Sequence, residues 1–314
     1  VIRRFFWPLL FAALLACATP VVAFWQSRDS GYNLSSGGAA AFSGPGDVVS
    51  GAKAWWGLRA YSLAQAGTKA ANVCNSGDAN CANVNTLANG NFDVATAQGA
   101  PLSCGGGGGT CTIKTLYDQS AALSCTGSVA CDLSNATPAS RPTLVFNCLG
   151  SLPCMAFSGT QSLSQTITFA AANAQPVTLS AVQMRTGNFT TSQSTNATTS
   201  VNGPELGFGS SANTAAIFAG STVTLAATDS AAHAIQGLFS GASSIINVDG
   251  VDSTPGNAGA QGLQFETEFG GDGFGVSMVG RMFEGGNWSV GFTGTQRTNM
   301  CHNQFTYWGT ATSC

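Results

Sequence analysis

From residue 162 to residue 250 the chain repeats a single theme. Short apolar stretches alternate with polar residues, and Gly, Asn, Asp or Ser separates one stretch from the next. SQTITFA (164–170), QPVTLSAVQM (175–184), PELGFG (204–209), AAIFAG (215–220), STVTLAA (221–227), HAIQGLFS (233–240) and SSIINVDG (243–250) follow one another in this way. Each run is too short for a stable helix, and its period is near two, the signature of a half-buried strand. Asp249-Gly250, between INV and VDS, is a two-residue hairpin signal. Strands at this spacing predict an all-β sandwich or jelly roll. Earlier in the chain, 111–120 reads as a strand entering a polar turn, and 143–146 and 154–159 as further short apolar segments.

Composition points the same way. Only 8% of the residues are charged, so the Lys/Glu-rich faces that solubilise surface helices are scarce. The best helix candidate is AKAWWGLRAYSLAQA (52–66), which would give one short helix near the start. The net charge is −3. Loss of Arg3 and Arg4 with a leader would make it −5, nine basic groups against fourteen acidic. That balance argues against nucleic acid and anionic membrane as partners.

Residues 1–23 have the layout of a secretory signal: Arg3 and Arg4, an apolar run, then Val21-Val22-Ala23. Pro8 and the shortness of the run disfavour a membrane-spanning anchor. Lipid attachment at Cys17 is the alternative. Residues 24–43 read as a flexible leader and 44–314 as one domain.

Eleven cysteines support export. Without Cys17, ten remain as close neighbours: Cys74 and Cys81, Cys104 and Cys111, Cys125 and Cys131, Cys148 and Cys154, Cys301 and Cys314. We expect five local disulfides, each clipping a loop, in an oxidising compartment. Zinc is disfavoured because there is no CxxC and only two histidines, His233 and His302. The glycine run 105–109 lacks a following Gly-Lys-Ser/Thr and is no phosphate loop. With no GxSxG either, neither a metal, a cofactor nor a serine triad is expected.

The chemistry gathers in 262–295, which holds four of the fourteen acidic residues. Phe265, Thr267 and Phe269 alternate with Gln264, Glu266 and Glu268, so the two glutamates share one face of a strand. A glycine pair delivers Asp272, and Glu284 and Trp288 follow in a second extended segment. Paired carboxylates with nearby indoles suit a sugar-processing cleft. There Trp288 and Trp308 are stacking candidates, and Glu266 and Glu284 candidate substrate contacts. The plainer reading makes Asp272 a turn residue, Glu266 and Glu268 a solvated strand face, and the tryptophans core. Trp55 and Trp56 are expected in the core and Asp118 in a structural hydrogen-bonding role. Arg59, Arg141 and Arg281 are candidates to pair with buried carboxylates.

At LYDQS (116–120) a resemblance enters. GPGD (44–47), GLRAYSLA (57–64), CGGGGGTCTIKTLYDQS (104–120), the RP…FSG run (141–159) and GGDGFG…GRMFEGG (270–286) occur in an order that resembles the catalytic domain of family 54 α-L-arabinofuranosidases, the arabinofuranosidase B type. The resemblance implies a concanavalin A-like β-sandwich and a retaining two-carboxylate mechanism. Asp272 matches the acid/base position. In the nucleophile segment the chain departs from the family: GPELGFGSSA (203–212) has no vicinal cysteines and no Glu after the glycine, which leaves Glu205 or Glu268 for that role. Gly46 stands where the family has a cysteine. The expected function is an exported glycoside hydrolase acting on arabinose-containing or other plant-wall glycan. The alternative is a carbohydrate-binding or adhesion module that lost its nucleophile.

Overall fold

The computed structural model describes residues 42–314 except 76–77, 106–108, 189–192, 199–202, 265, 272–276 and 311–313, with 193–198 described in backbone only. The predicted leader (1–23 and 24–43) therefore lies almost wholly outside the described residues. Phe42–Cys314 form one compact unit. Among the described residues, no helix is long and apolar enough to cross a membrane.

Among the described residues, eighteen strands carry the fold. They are β1 (Ala54–Gly57), β2 (Lys69–Cys74), β3 (Cys81–Asn85), β4 (Thr112–Leu116), β5 (Leu133–Ser134), β6 (Thr143–Leu149), β7 (Leu152–Ser158), β8 (Leu163–Gln165) and β9 (Val177–Arg185). The remainder are β10 (Gln193–Thr198), β11 (Glu205–Phe208), β12 (Thr214–Phe218), β13 (Thr222–Ala226), β14 (His233–Phe239), β15 (Ile245–Val248), β16 (Val251–Asp252), β17 (Thr267–Phe269) and β18 (Val279–Trp288). Three α-helices accompany them: α1 (Pro45–Val48), α2 (Val94–Gln98) and α3 (Gly294–Trp308).

Strand pairing, antiparallel throughout, divides into two sheets. The first runs β13–β12–β11–β10–β17–β8–β5–β4–β2–β3. In the second, β16–β15–β14–β9–β18 is followed by β7 and β1, which share the far edge of β18 end to end, with β6 outside β7. A single pair, Thr112 with Thr143, joins β4 to β6. The sheets pack face to face. Trp56 from β1 meets Phe269 from β17 edge-on, and a side chain at Gly237 of β14 would collide with Ile217 of β12.

Helix α3 covers the outer face of the second sheet. Gln304 donates to the Ser180 hydroxyl and Trp308 packs on Phe283. With the other sheet on one face and α3 on the other, β9 is buried at every residue. The first sheet keeps the alternation of a half-wet surface, with its outer face polar.

All five expected disulfides are present: Cys74 with Cys81, Cys104 with Cys111, Cys125 with Cys131, Cys148 with Cys154, and Cys301 with Cys314. Each bridge closes a short stretch of chain, as expected, and several of the cysteines reach into the elements beside it. Cys154 lies inside β7 rather than in a loop, and Cys111 immediately precedes β4. Cys111 is 1% and Cys154 0% exposed, and both belong to the hydrophobic core. The reason is that a bridged sulfur is apolar, so a half-cystine at an inward-facing strand position packs as a core side chain while it closes its loop.

The hairpin at Asp249-Gly250 is also present: Val248 pairs with Val251 and both turn residues have positive φ, 47° and 83°. The short helix near the start is α1. The helix expected at 52–66 is not: Ala54–Gly57 is a strand, followed only by a 3₁₀ turn at Leu63–Gln65. Trp55 and Trp56 explain the difference, because adjacent strand residues point to opposite faces and here both faces are dry. Trp56 enters the inter-sheet core, whereas Trp55 packs with Tyr61 and Trp288 on the other side. Burying two indoles outweighs a few tenths of a kcal/mol of helix propensity per residue, roughly.

Candidate functional site

The polar outer face of the first sheet brings two of the predicted carboxylates together. In β10, Ala197 pairs with Glu205 of β11 on one side and with Glu268 of β17 on the other. Residues directly opposite in an antiparallel pair share a face. Glu205 and Glu268 therefore belong to one row, with one strand between them and Cα atoms about 9.5 Å from each other at two strand spacings. Glu205, at the start of its strand, is half-buried; Glu268 is only 8% exposed.

What covers Glu268 is visible at the next glycine pair. A Cβ on Gly271 would stand 2.8 Å from Glu268 Oε1, so the carboxylate lies against this backbone. Gly270 has φ 85°, and a Cβ there would stand 2.3 Å from the Phe157 ring. The Met278 amide donates to the Gly270 carbonyl at 2.9 Å, tying the two ends of the loop that follows β17. Both glycines of the GGD motif are thus required by close approach. Asp272, the next residue, lies outside the described residues. Glu266 is half-buried and immediately precedes β17.

The remaining candidates are elsewhere. Glu284 is fully buried on the α3 side of β18, where Arg59 Nε and Nη2 donate to its two carboxylate oxygens at 2.5 and 2.8 Å. A β-bulge between Met282 and Glu284 turns the second half of β18 over, so that Met282 faces the core and Glu284 faces α3. Trp288 is packed between Trp55 and Phe292, and Trp308 against Phe283 and Tyr307. Trp288 is 0% and Trp308 2% exposed, so neither ring presents a face to a sugar. For Glu284 and Trp288 the reason is that β18 is covered on both sides, and period-two alternation does not reveal a second covering layer; Trp308 ends α3 on the face that this helix packs against Phe283 of β18.

Asp118 of LYDQS is structural, as expected. Its carboxylate accepts from the amides of Trp55, Ser120 and Cys131. Burial nonetheless raises its pKa, against the pull of those hydrogen bonds. Arg141 pairs with Asp78, and Arg281 has no ion pair among the described residues. The one His/Cys/Asp/Glu grouping of metal-like spacing among them is Cys74, Asp78 and Cys81. Both of its thiols are spent in a disulfide and its carboxylate on Arg141.

The carboxylate row extends further than the sequence suggested. Beyond Glu268 it continues through Ser164 of β8, Ser134 of β5, Thr115 of β4, Asn72 of β2 and Asn83 of β3. All five are half-buried or exposed, whereas Leu163, Leu133, Leu116, Ala71 and Val84, beside them on the opposite face, are fully buried. Polar alternation in KAANVC and CANVN was the available signal, but only strand pairing aligns these residues with the acids.

The disulfide-clipped antiparallel sandwich has a fold similar to that of solved α-L-arabinofuranosidase structures. Over 83% of its length the chain matches a mutant of a family 54 α-L-arabinofuranosidase soaked with 4-nitrophenyl α-L-arabinofuranoside, at TM-score 0.63 and 14% identity. An arabinofuranosidase complexed with arabinofuranosyl-α-1,2-xylobiose matches over the same share at TM-score 0.62 and 14% identity. The chain spans 65% of the length of each of these proteins. At this identity the likeness is one of fold. No family model matches the sequence, and no curated protein does.

Proposed function

We propose that the protein is an exported glycoside hydrolase that releases arabinofuranosyl or related residues from plant-type polysaccharide by a two-carboxylate mechanism. The observation that carries this reading is the pairing of Glu205 and Glu268 across Ala197 on the polar face of the first sheet. In the mechanism, Asp272 protonates the leaving glycosidic oxygen and later takes a proton from water, while a glutamate attacks the anomeric carbon. Retaining chemistry brings two carboxyl groups to about 5–5.5 Å. Glu205 is the better nucleophile of the two, because a nucleophile must reach the sugar and Glu268 is covered by Gly271. Five disulfides require an oxidising compartment, in keeping with export.

The experiment is release of 4-nitrophenol from 4-nitrophenyl α-L-arabinofuranoside by the wild type, Asp272→Asn and Glu205→Gln. Each substitution should lower kcat by about 10²–10⁴ and leave sugar binding in place. A wild type that releases nothing from arabinosyl, galactosyl or xylosyl aryl glycosides sinks the enzyme reading. A carbohydrate-binding module is the second reading, favoured by the missing Glu after the glycine of 203–212. It requires sugar binding without turnover, and no loss of binding in Asp272→Asn.

A further inference from the structure

We infer that the outer face of the first sheet carries a binding strip for an extended neutral glycan, running from the carboxylate row to Tyr117, Asn72 and Asn83. This rests on the glycoside hydrolase reading and names how the same site holds a polymer. The row from Glu268 to Asn83 crosses five strand spacings, about 24 Å, room for several linked sugar units. Its residues offer hydroxyls and amides, the donors and acceptors that match a polyol.

The far end is organised. A bulge at Ala70 returns Lys69 to the polar face, where it pairs with Asn85, on the same side as Asn83. Tyr117 is two residues beyond Thr115 and so projects from the same face. Its hydroxyl donates to Asn83 Oδ1 at 2.7 Å, and Asn72 Nδ2 donates to the same oxygen at 2.9 Å. These two bonds fix the Asn83 amide with its oxygen toward the protein. The half-buried Tyr117 ring, with Lys69 Nζ 5.5 Å from its centroid, supplies an apolar surface of the kind that packs on sugar C–H groups.

The charges at this end offset one another. Asp132 lies two residues before Ser134 on the same face; burial raises its pKa, and the nearby Lys69 charge offsets part of that rise. A strip whose cation and anion are matched favours a neutral chain over a polyuronate. Continuity with the Glu205–Glu268 row gives the glycan its orientation, with the cleaved end at the carboxylates and the chain over β8, β5, β4 and β2.

The test compares kcat/KM for a neutral arabinoxylan oligosaccharide with that for 4-nitrophenyl α-L-arabinofuranoside, in the wild type, Tyr117→Ala and Asn72→Ala/Asn83→Ala. Loss of two hydrogen bonds should lower the ratio of oligosaccharide to aryl glycoside about tenfold, in variants whose melting matches the wild type. An unchanged ratio in both variants overturns the strip. If the wild type cleaves neither substrate, the hydrolase reading fails by itself and the strip is judged by binding. Arabinoxylan affinity must then fall about tenfold in Tyr117→Ala, and equal affinity overturns it. Tighter binding of polygalacturonate than of arabinoxylan also overturns it.

Discussion

Substituting Glu284 by Gln tests whether this residue holds the fold together or serves a ligand. Both partners of the Arg59–Glu284 pair are 0% exposed. Arg59 Nη2 also donates to Asn303 Oδ1 at 2.8 Å, and the guanidinium carbon lies 4.5 Å from the Tyr307 ring centroid. The pair therefore bridges β18, the segment after β1, and α3. In Glu284→Gln the guanidinium stays buried and loses its counter-ion, keeping only Asn303, the new amide and the Tyr307 ring. Removing one partner of a buried pair costs about 3–5 kcal/mol, because a charge is left uncompensated. At about 2 °C per kcal/mol for a domain of this size, melting should fall by roughly 6–10 °C. Urea unfolding followed by far-UV circular dichroism reads the same loss as a lower midpoint with an unchanged slope. The double variant Arg59→Met/Glu284→Leu removes both charges together and should recover at least half of the loss. A Glu284→Gln protein within about 1 kcal/mol of the wild type, but weaker in sugar binding, refutes the structural role.

Two further outcomes follow from buried acids. His233 is hydrogen-bonded at both ring nitrogens, Nδ1 to Asp249 Oδ2 at 2.6 Å and Nε2 to the Thr228 carbonyl at 2.8 Å. Burial alone would depress its pKa, but the hydrogen bond to and charge of Asp249, with Thr228 and Asp229, outweigh it, and the pKa is raised. The resulting stability is fully present below the unfolded value of about 6.5 and is lost as pH rises through the folded pKa. Urea midpoints of the wild type should decline from mildly acidic to alkaline pH, and those of His233→Gln should not; parallel profiles refute this. Asp118→Ala strands the Trp55 and Cys131 amides and should cost about 2–5 kcal/mol. An unchanged urea midpoint would contradict the proposed hydrogen-bonding role.

Local information carried the parts of the fold that local physics decides. The five disulfides join cysteines at most thirteen positions apart, and the Asp249-Gly250 turn is specified by residues that tolerate positive φ. Pairing was legible where burial was not: spacing joins Cys104 to Cys111 and Cys148 to Cys154, but only the packed sheets show that Cys111 and Cys154 lie in the core. Helix α3 was legible but overlooked. Thr293 and Gln296 form a capping box and Gly309 ends the helix in the left-handed region, all within TGTQRTNMCHNQFTYWG. The site was half legible. Glu268 and Glu205 were named singly, yet only the pairing of β10 with both β11 and β17 puts them in one row. Glu284 and Trp288 were misread for the opposite reason: a residue on a strand between two covering layers carries the same alternation as one beside water, while Trp308 is buried because α3 packs on the sheet.

Strand β18 also governs when the domain can be finished. Its second half takes β1 as its edge partner, and Arg59 reaches Glu284 across 225 positions of sequence. Among the described strands, β1 therefore has no neighbour until β18 is available, and contacts so distant make folding slow. During synthesis β1, with Trp55 and Trp56, remains an unpaired edge, and the two indoles stay wet. Closure comes only when β18 and α3 are in place.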